Sequence, residues 1–354
     1  MKAERYQLYE EYMRRHMGDS AHDTGHVYRV LNAVLMLGKA EKNVDMDVLL
    51  TAALLHDVGR EAQFRTGENH ALAGARMVRE FLMEQGEGET FAQRVSDCIR
   101  THRFRSDDPP ASVEAKLLYD ADKLDVAGVI GLARTLLYQG HVGHPIYSVS
   151  ADGAVLGGEE KTPSFYSEYR HKLQGISARF LTAEGKRMAQ KRGEAAKRFV
   201  EALRAEVAAG ESGSAWRLLP KGAAARQRRV FNIALMLAGD SEKISRAALA
   251  ECVMKADGEA PQGPAGRLVA DAAALDDLGA LGVAGRLIEM GRTRQPLSTL
   301  LDEEWQAPEF HAAQARGIAQ VRQASAQAFL EALRAELDEG REAGERILGE
   351  ILEP

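Results

Sequence analysis

Apolar side chains recur at helical spacing along almost the whole chain. From His26 to Gly38, Val27, Val30, Leu31, Val34 and Leu37 fall on one face. Val48, Leu49, Ala52, Ala53 and Leu55 continue the theme up to His56-Asp57, and Gly59 follows as a stop signal. The same period predicts helices over about residues 70–85, 90–104, 113–122 and 125–139. A polar, glycine-bearing loop over 140–161 comes next, then a long helical region over 164–208 with a break near Thr182. Sustained β alternation is absent apart from Tyr147–Val149, where a small hairpin is allowed. AGESGSAW, residues 209–216, has the composition of a linker. The expectation is an all-α chain in two parts, residues 1–210 and 216–354.

The second part repeats the first in order. Arg29–Leu37 lines up with Arg229–Leu237, Leu117–Gly140 with Leu268–Gly291, and Phe180–Gly210 with Phe310–Gly340. The hexamer EALRAE stands in both copies of the last block. The offset between paired residues falls from 200 to 151 to 130, so the second copy is the shorter one. Three blocks in the same order point to duplication rather than to a chance likeness of alanine-rich helices.

Composition narrows the classes. Hydrophobic residues make up 45% of the 354 and charged residues 28%, a globular balance. The formal charge of −6 disfavours nucleic acid and anionic membranes as partners. The two cysteines, Cys98 and Cys252, show no CxxC spacing, so neither a disulfide framework nor a structural zinc site is expected. No apolar run approaches the roughly 20 residues needed to span a bilayer. The first residues lack the apolar core of a signal peptide. A reducing cytoplasm is the expected compartment, and a homodimer is compatible with all of this.

The candidate chemistry lies in the first part. His26, His56-Asp57 and Asp122 each sit on or at the end of a predicted helix, and a bundle can aim such side chains at one cation. Two imidazoles and two carboxylates suit Mn²⁺, Fe²⁺, Co²⁺, Ni²⁺, Zn²⁺ or, less well, Mg²⁺. LLHDVGR ends an apolar helix, which would bury the Asp, and a buried unpaired carboxylate is costly. His22 precedes His26 by one turn; from there it would contact a phosphate oxygen or orient His26. Glu61 is a candidate general acid or base. Arg60, Arg103 and Arg105 are candidate phosphate contacts or plain surface charges. No nucleophile elbow and no GxxxxGK[ST] phosphate loop is present.

AHDTGHVYRV, TAALLHDVGR, IRTHRF and LLYDADKLDVAGVIGLAR, in this order, resemble the HD-domain metal-dependent phosphohydrolases, and most of all their YedJ-like branch. The likeness spans about residues 18–205, including YSEYRHKL and GKRMAQKR. It implies an all-α HD bundle with His26, His56, Asp57 and Asp122 as metal ligands. The implied activity is hydrolysis of a small phosphorylated substrate, a nucleotide for preference, by metal-activated water. Lys123 and Lys172 would then stand near the substrate phosphate. In binuclear members Asp57, His70 and His102 would hold a second ion. In the mononuclear branch His102 would contact phosphate, and His70 departs from the pattern. One ion is favoured over two. Two other classes remain: an HD-type diiron oxygenase, and a non-catalytic nucleotide sensor.

The repeat then gains meaning. His26 maps to Arg226, His56 to Ala256 and Asp122 to Ala273, and only Asp57 has a like partner, Asp257. The second part is expected to be a degenerate HD-like helical bundle without a metal site.

Overall fold

The computed structural model describes residues 1–17, 24–103, 108–151, 153–212, 215–239, 244–255 and 263–353. His22, Arg105, Ala256 and Asp257 lie outside the described residues. No helix among those described is long and apolar enough to cross a membrane.

Helices α1 (Ala3–His16), α2 (Thr24–Ala40), α3 (Met46–Leu55), α4 (Arg60–Thr66), α5 (His70–Glu84), α6 (Glu89–Thr101), α7 (Val113–Leu124) and α8 (Gly128–His141) come first. A short α9 (Phe165–Glu168), a π turn over Tyr169–Leu173 and a 3₁₀ turn over Ile176–Arg179 lead into the long α10 (Ala183–Glu211). Then follow α11 (Ala225–Ala238), α12 (Arg246–Lys255), α13 (Gly263–Asp276), α14 (Gly279–Thr293), α15 (Ser298–Asp302), α16 (Ala313–Asp338) and α17 (Arg341–Ile351). The fold is all-α, as the periodicity implies. Among the described residues the hairpin expected at Tyr147–Val149 is reduced to one bridge, Val149 to Val155. The break expected near Thr182 is real, and residues before it form short turns rather than one helix.

Two compact units result, and they interleave along the chain. The first holds residues 1–131, 175–193 and 335–354; the second holds 132–174 and 194–334. These units do not follow the division at 210–216, because α8, α10 and α16 each give residues to both.

In the first unit, α2, α3 and α7 pack on one another and α6 closes on α3. Val27, Val30, Val34, Leu37, Leu49, Leu55, Ile99 and Leu117 are fully buried there. Each such side chain stabilises by about 1.5–3 kcal/mol relative to exposure. Polar residues set the starts: Asp45 accepts from Val48 N at 3.3 Å, Asn69 from Ala71 N at 3.0 Å and Ser112 from Ala115 N at 3.0 Å. The last residues belong to this unit. The α17 helix packs on α2, with Gly344 against Asn32 and Gly340 against Met36. Ala3 N donates to Glu353 O at 2.8 Å. Glu336 accepts from Val129 N at 3.1 Å and Ile130 N at 2.9 Å, capping the start of α8. Burial pushes the Glu336 carboxyl up to about 7, against the pull of Arg192 and the two amides.

The second unit uses the same device with the halves exchanged. Glu206, on α10, accepts from Ala280 N at 3.0 Å and Leu281 N at 2.8 Å at the start of α14. Its core gathers Phe231, Ala234, Leu249, Val269, Leu275 and Phe310 from α11, α12, α13 and the approach to α16. Here α8 and α14 cross closely. A Cβ on Gly140 would stand 2.0 Å from Ile288 O, and one on Gly291 would stand 1.9 Å from Leu137 O, so only glycine fits either position.

Candidate metal centre

The His-Asp pair is presented by the end of α3. That helix is apolar on nearly every face, so its last turn is drawn inside, and His56 and Asp57 are 0% and 1% exposed. Gly59 then lets the chain graze α5: a Cβ there would stand 2.2 Å from His70 O and 2.5 Å from Gly74 N. That close approach sets His70 beside Asp57. His26 comes from the first turn of α2, His102 from the end of α6, and Asp122 from the last turn of α7.

Hydrogen bonds fix which ring nitrogen of each histidine faces the centre. His56 Nδ1 meets Ala53 O at 2.7 Å and His102 Nδ1 meets Ile99 O at 2.6 Å; a carbonyl only accepts, so both Nδ1 atoms carry the hydrogen. His26 Nδ1 donates to Asp125 Oδ2 at 2.8 Å, and Asp125 is held by Arg29 at 2.6 and 3.0 Å. His70 Nδ1 lies 2.5 Å from Gln63 Oε1 and 3.2 Å from Arg103 Nη1, and the guanidinium can only donate to it. The Nε2 atoms of His26, His56 and His102 therefore bear lone pairs.

Those lone pairs converge. His26 Nε2 lies 3.3 Å from His56 Nε2 and 3.3 Å from Asp122 Oδ1. Asp57 Oδ2 is 3.6 Å from His26 Nε2 and 3.7 Å from His56 Nε2. The other oxygen, Oδ1, is 3.4 Å from His70 Nε2 and 3.8 Å from His102 Nε2. His70 Nε2 and His102 Nε2 are buried with no hydrogen-bond partner. Lone pairs facing one another at such distances repel unless a cation lies among them, and orphaned buried acceptors are costly. Separations of 3.3–3.8 Å suit ligands bound at about 2.1 Å to one ion. The donors fall into two groups, His26–His56–Asp122 and Asp57–His70–His102, each with its ligand atoms within 4.8 Å of one another. The residues thus fit a divalent metal.

Electrostatics agree with that fit. Burial pushes His70 down to about 2, with the Arg60 charge adding to it, and pushes His102 down to about 4. Both rings are neutral near pH 7, the form that binds metal. Burial acts to raise the Asp57 carboxyl, but the positive surroundings of His56 and Arg60 outweigh it and hold the group below the usual carboxylate range. Arg60 Nε donates to Asp57 Oδ1 at 2.9 Å.

Not every residue singled out from the sequence is in this cluster. Glu61 stands on the exposed side of α4 and its carboxylate pairs with Arg65 at 3.5 Å. Lys172 belongs to the second unit, where it pairs with Glu168 at 2.6 Å. Lys123 follows Asp122, and its ammonium sits 4.3 Å from the centre of the Tyr119 ring. Sequence reasoning missed Asp125 and Gln63, which orient His26 and His70. Asp125 had a signal, since it stands three residues after Asp122 in DADKLD.

The second unit offers a contrast. Arg229 makes a bidentate pair with Asp276, 2.8 Å on each side, where the first unit has Arg29 and Asp125. Arg226 pairs with Asp277 at 2.6 Å. A cavity of about 410 Å³ opens there, lined among others by Arg226, Arg229, Asp277 and Trp305. Its charges are matched, and among the described residues the only groups fit for a metal are the two in the first unit.

A helical bundle that gathers histidines and aspartates around a buried His-Asp pair has the architecture of an HD domain, and residues 24–127 match the HD domain family model. The chain belongs to the HD-domain family. It is 30% identical over 192 residues to YpgQ of Bacillus subtilis, covering 53% of this chain and 85% of that protein. It is similar to the crystal structure of YpgQ in complex with ADP, at 24% identity and a TM-score of 0.44, over 56% of this chain and 92% of that one. It is also similar to a predicted HD superfamily hydrolase from an uncultured Thermotogales bacterium, at 27% identity and a TM-score of 0.39, over 56% of this chain and 89% of that one.

Proposed function

We propose that the chain is a metal-dependent phosphohydrolase acting on a nucleotide or a related small phosphate ester, with two divalent ions held by the first unit. The observation that carries this reading is the convergence of four buried Nε2 atoms on Asp57, each histidine having its Nδ1 engaged elsewhere. His26, His56, Asp57 and Asp122 would hold one ion; Asp57, His70 and His102 would hold the other. The sequence favoured a single ion. The orphaned Nε2 atoms of His70 and His102 favour a second. Bound divalent ions lower the pKa of water and polarise phosphoryl oxygens. The protein's own part is to hold the ligands in register, through Asp125 on His26 and Gln63 on His70, and to offer Lys123 and Arg103 to phosphate charge. Hydrolysis of a phosphate ester needs such positioning and neutralisation more than a protein nucleophile.

The same six ligands also suit the diiron oxygenase reading, because His70 completes a second site. The Lys123 ammonium, directly after Asp122, favours phosphate chemistry instead. The repeat supports a further part of the proposal: residues 216–354 are a degenerate copy whose packing was retained. The Glu206 and Glu336 caps, and the pairs Arg29–Asp125 and Arg229–Asp276, recur at the offsets seen in sequence. Free cysteines fit a reducing cytoplasm.

Elemental analysis of the purified protein loaded with Mn²⁺ tests the metal reading. Wild type should hold about two ions per chain and His70→Ala about one. A single ion in wild type, unchanged in His70→Ala, would remove the second site.

A further inference from the structure

The segment that joins the 3₁₀ turn to α10 is tied tightly to the helix that carries Asp122. Asp120, fully buried, accepts from Leu181 N at 2.8 Å, Thr182 N at 2.7 Å and Thr182 Oγ1 at 2.7 Å. Gly185 completes the contact, since a Cβ there would stand 2.5 Å from Asp120 Oδ2. Buried Phe180 anchors the same segment. This clasp holds the end of the turn, with Arg179 as its last residue, against the part of α7 that carries Tyr119, Asp120 and Lys123. The positive field of Arg179 is felt at both. Arg179 is exposed, and among the described residues neither it nor Lys123 makes an ion pair with a carboxylate. Two cations brought together beside a metal ligand, neither in an ion pair among the described residues, form a place for an anion.

The second unit supplies a control. Asp271 makes the corresponding clasp, accepting from His311 N at 3.1 Å and Ala312 N at 2.7 Å. In the repeat alignment Leu181 and Thr182 fall on His311 and Ala312, Arg179 on Glu309, Lys123 on Ala274 and Asp122 on Ala273. The clasp survives where the metal ligands are gone, so it serves the fold. The two cations vanish together with the ligands, so they do not.

We propose that Arg179, held in place by the Asp120 clasp, acts with Lys123 to bind the substrate's phosphate oxygens on the Asp122 side of the metal centre. This rests on the phosphohydrolase reading above. The guanidinium gives two parallel N–H donors to a phosphate, and the ammonium adds a point charge.

Pyrophosphate is the probe, titrated calorimetrically into Mn²⁺-loaded wild type, Arg179→Ala and Arg179→Lys. Loss of a charge-assisted contact should weaken binding by about tenfold or more in Arg179→Ala. Arg179→Lys should recover most of it, within about threefold of wild type, since the charge is kept. Manganese content should stay at the wild-type value in both, because Arg179 is no ligand. Unchanged affinity in Arg179→Ala, or a loss of manganese with it, would overturn the assignment of Arg179 and leave the phosphohydrolase reading standing. Loaded wild type that binds no pyrophosphate and cleaves no phosphate ester would overturn both.

Discussion

Asp57→Ala should retain the helical content of the wild type yet bind no more than traces of divalent metal, with phosphate-ester hydrolysis falling to background. Asp57 lies within 3.8 Å of ligand atoms in both groups, Oδ2 toward His26 and His56, Oδ1 toward His70 and His102. Removing it takes a ligand from both ions at once. His56→Ala should resemble it, because the Nε2 of that residue sits 3.3 Å from that of His26 at the heart of the first group. The loss of rate should be on the order of a thousandfold or more, since both water activation and phosphoryl polarisation depend on the ions. Circular dichroism, elemental analysis and a phosphate-release assay on one preparation separate the effects. Full metal loading in Asp57→Ala would end the assignment of this cluster.

Deleting residues 335–354 should unfold the first unit, although every candidate metal ligand precedes them by more than two hundred residues. The deletion removes the Glu336 acceptor from Val129 N and Ile130 N, and the Glu339 partner of Arg192 at 2.7 Å. It also strips α17 from α2 and exposes the surface that buries Ile347. A buried donor left unpaired costs about 1–3 kcal/mol and a large buried aliphatic side chain about 1.5–3 kcal/mol. Their sum reaches the whole stability of an ordinary domain, roughly 5–15 kcal/mol. Thermal melting followed at 222 nm, with metal content beside it, is the check. A truncated protein that melts like wild type and stays loaded would show that the last helix is dispensable.

Much of the centre was legible because its ligands sit at helix ends, where a period of 3.6 and a stop signal converge. The apolar run of α3 ending on His56-Asp57 is such a case, and burial of the pair followed from it. Asp122 closes α7 in the same way. His70 was read as a departure from the family pattern, because nothing local says where a helix start will point. Gly59 decides it, through a close approach to α5 that only a tertiary contact reveals. Lys172 and Glu61 were singled out by resemblance and by proximity in sequence; in the structure each pairs with an opposite charge one turn away. The exchange of Glu206 and Glu336 between units was invisible for a different reason. The repeat alignment matches the residues, yet caps across 74 and 207 positions leave no mark in local periodicity. Arg179 was missed likewise, since the clasp that places it runs from Asp120 across 62 positions to Thr182.

Phosphate release by metal-stripped and reloaded protein is the most direct measurement. The protein is treated with chelator, divided, and assayed against a nucleotide panel with ADP first, without metal and with added Mn²⁺, Co²⁺ or Mg²⁺. Stripped protein should release no phosphate, at least one ion should restore release, and Asp57→Ala should remain inert under every condition. Release that persists in stripped protein, or none from fully loaded wild type across the panel, would contradict a metal-dependent phosphohydrolase built on this cluster.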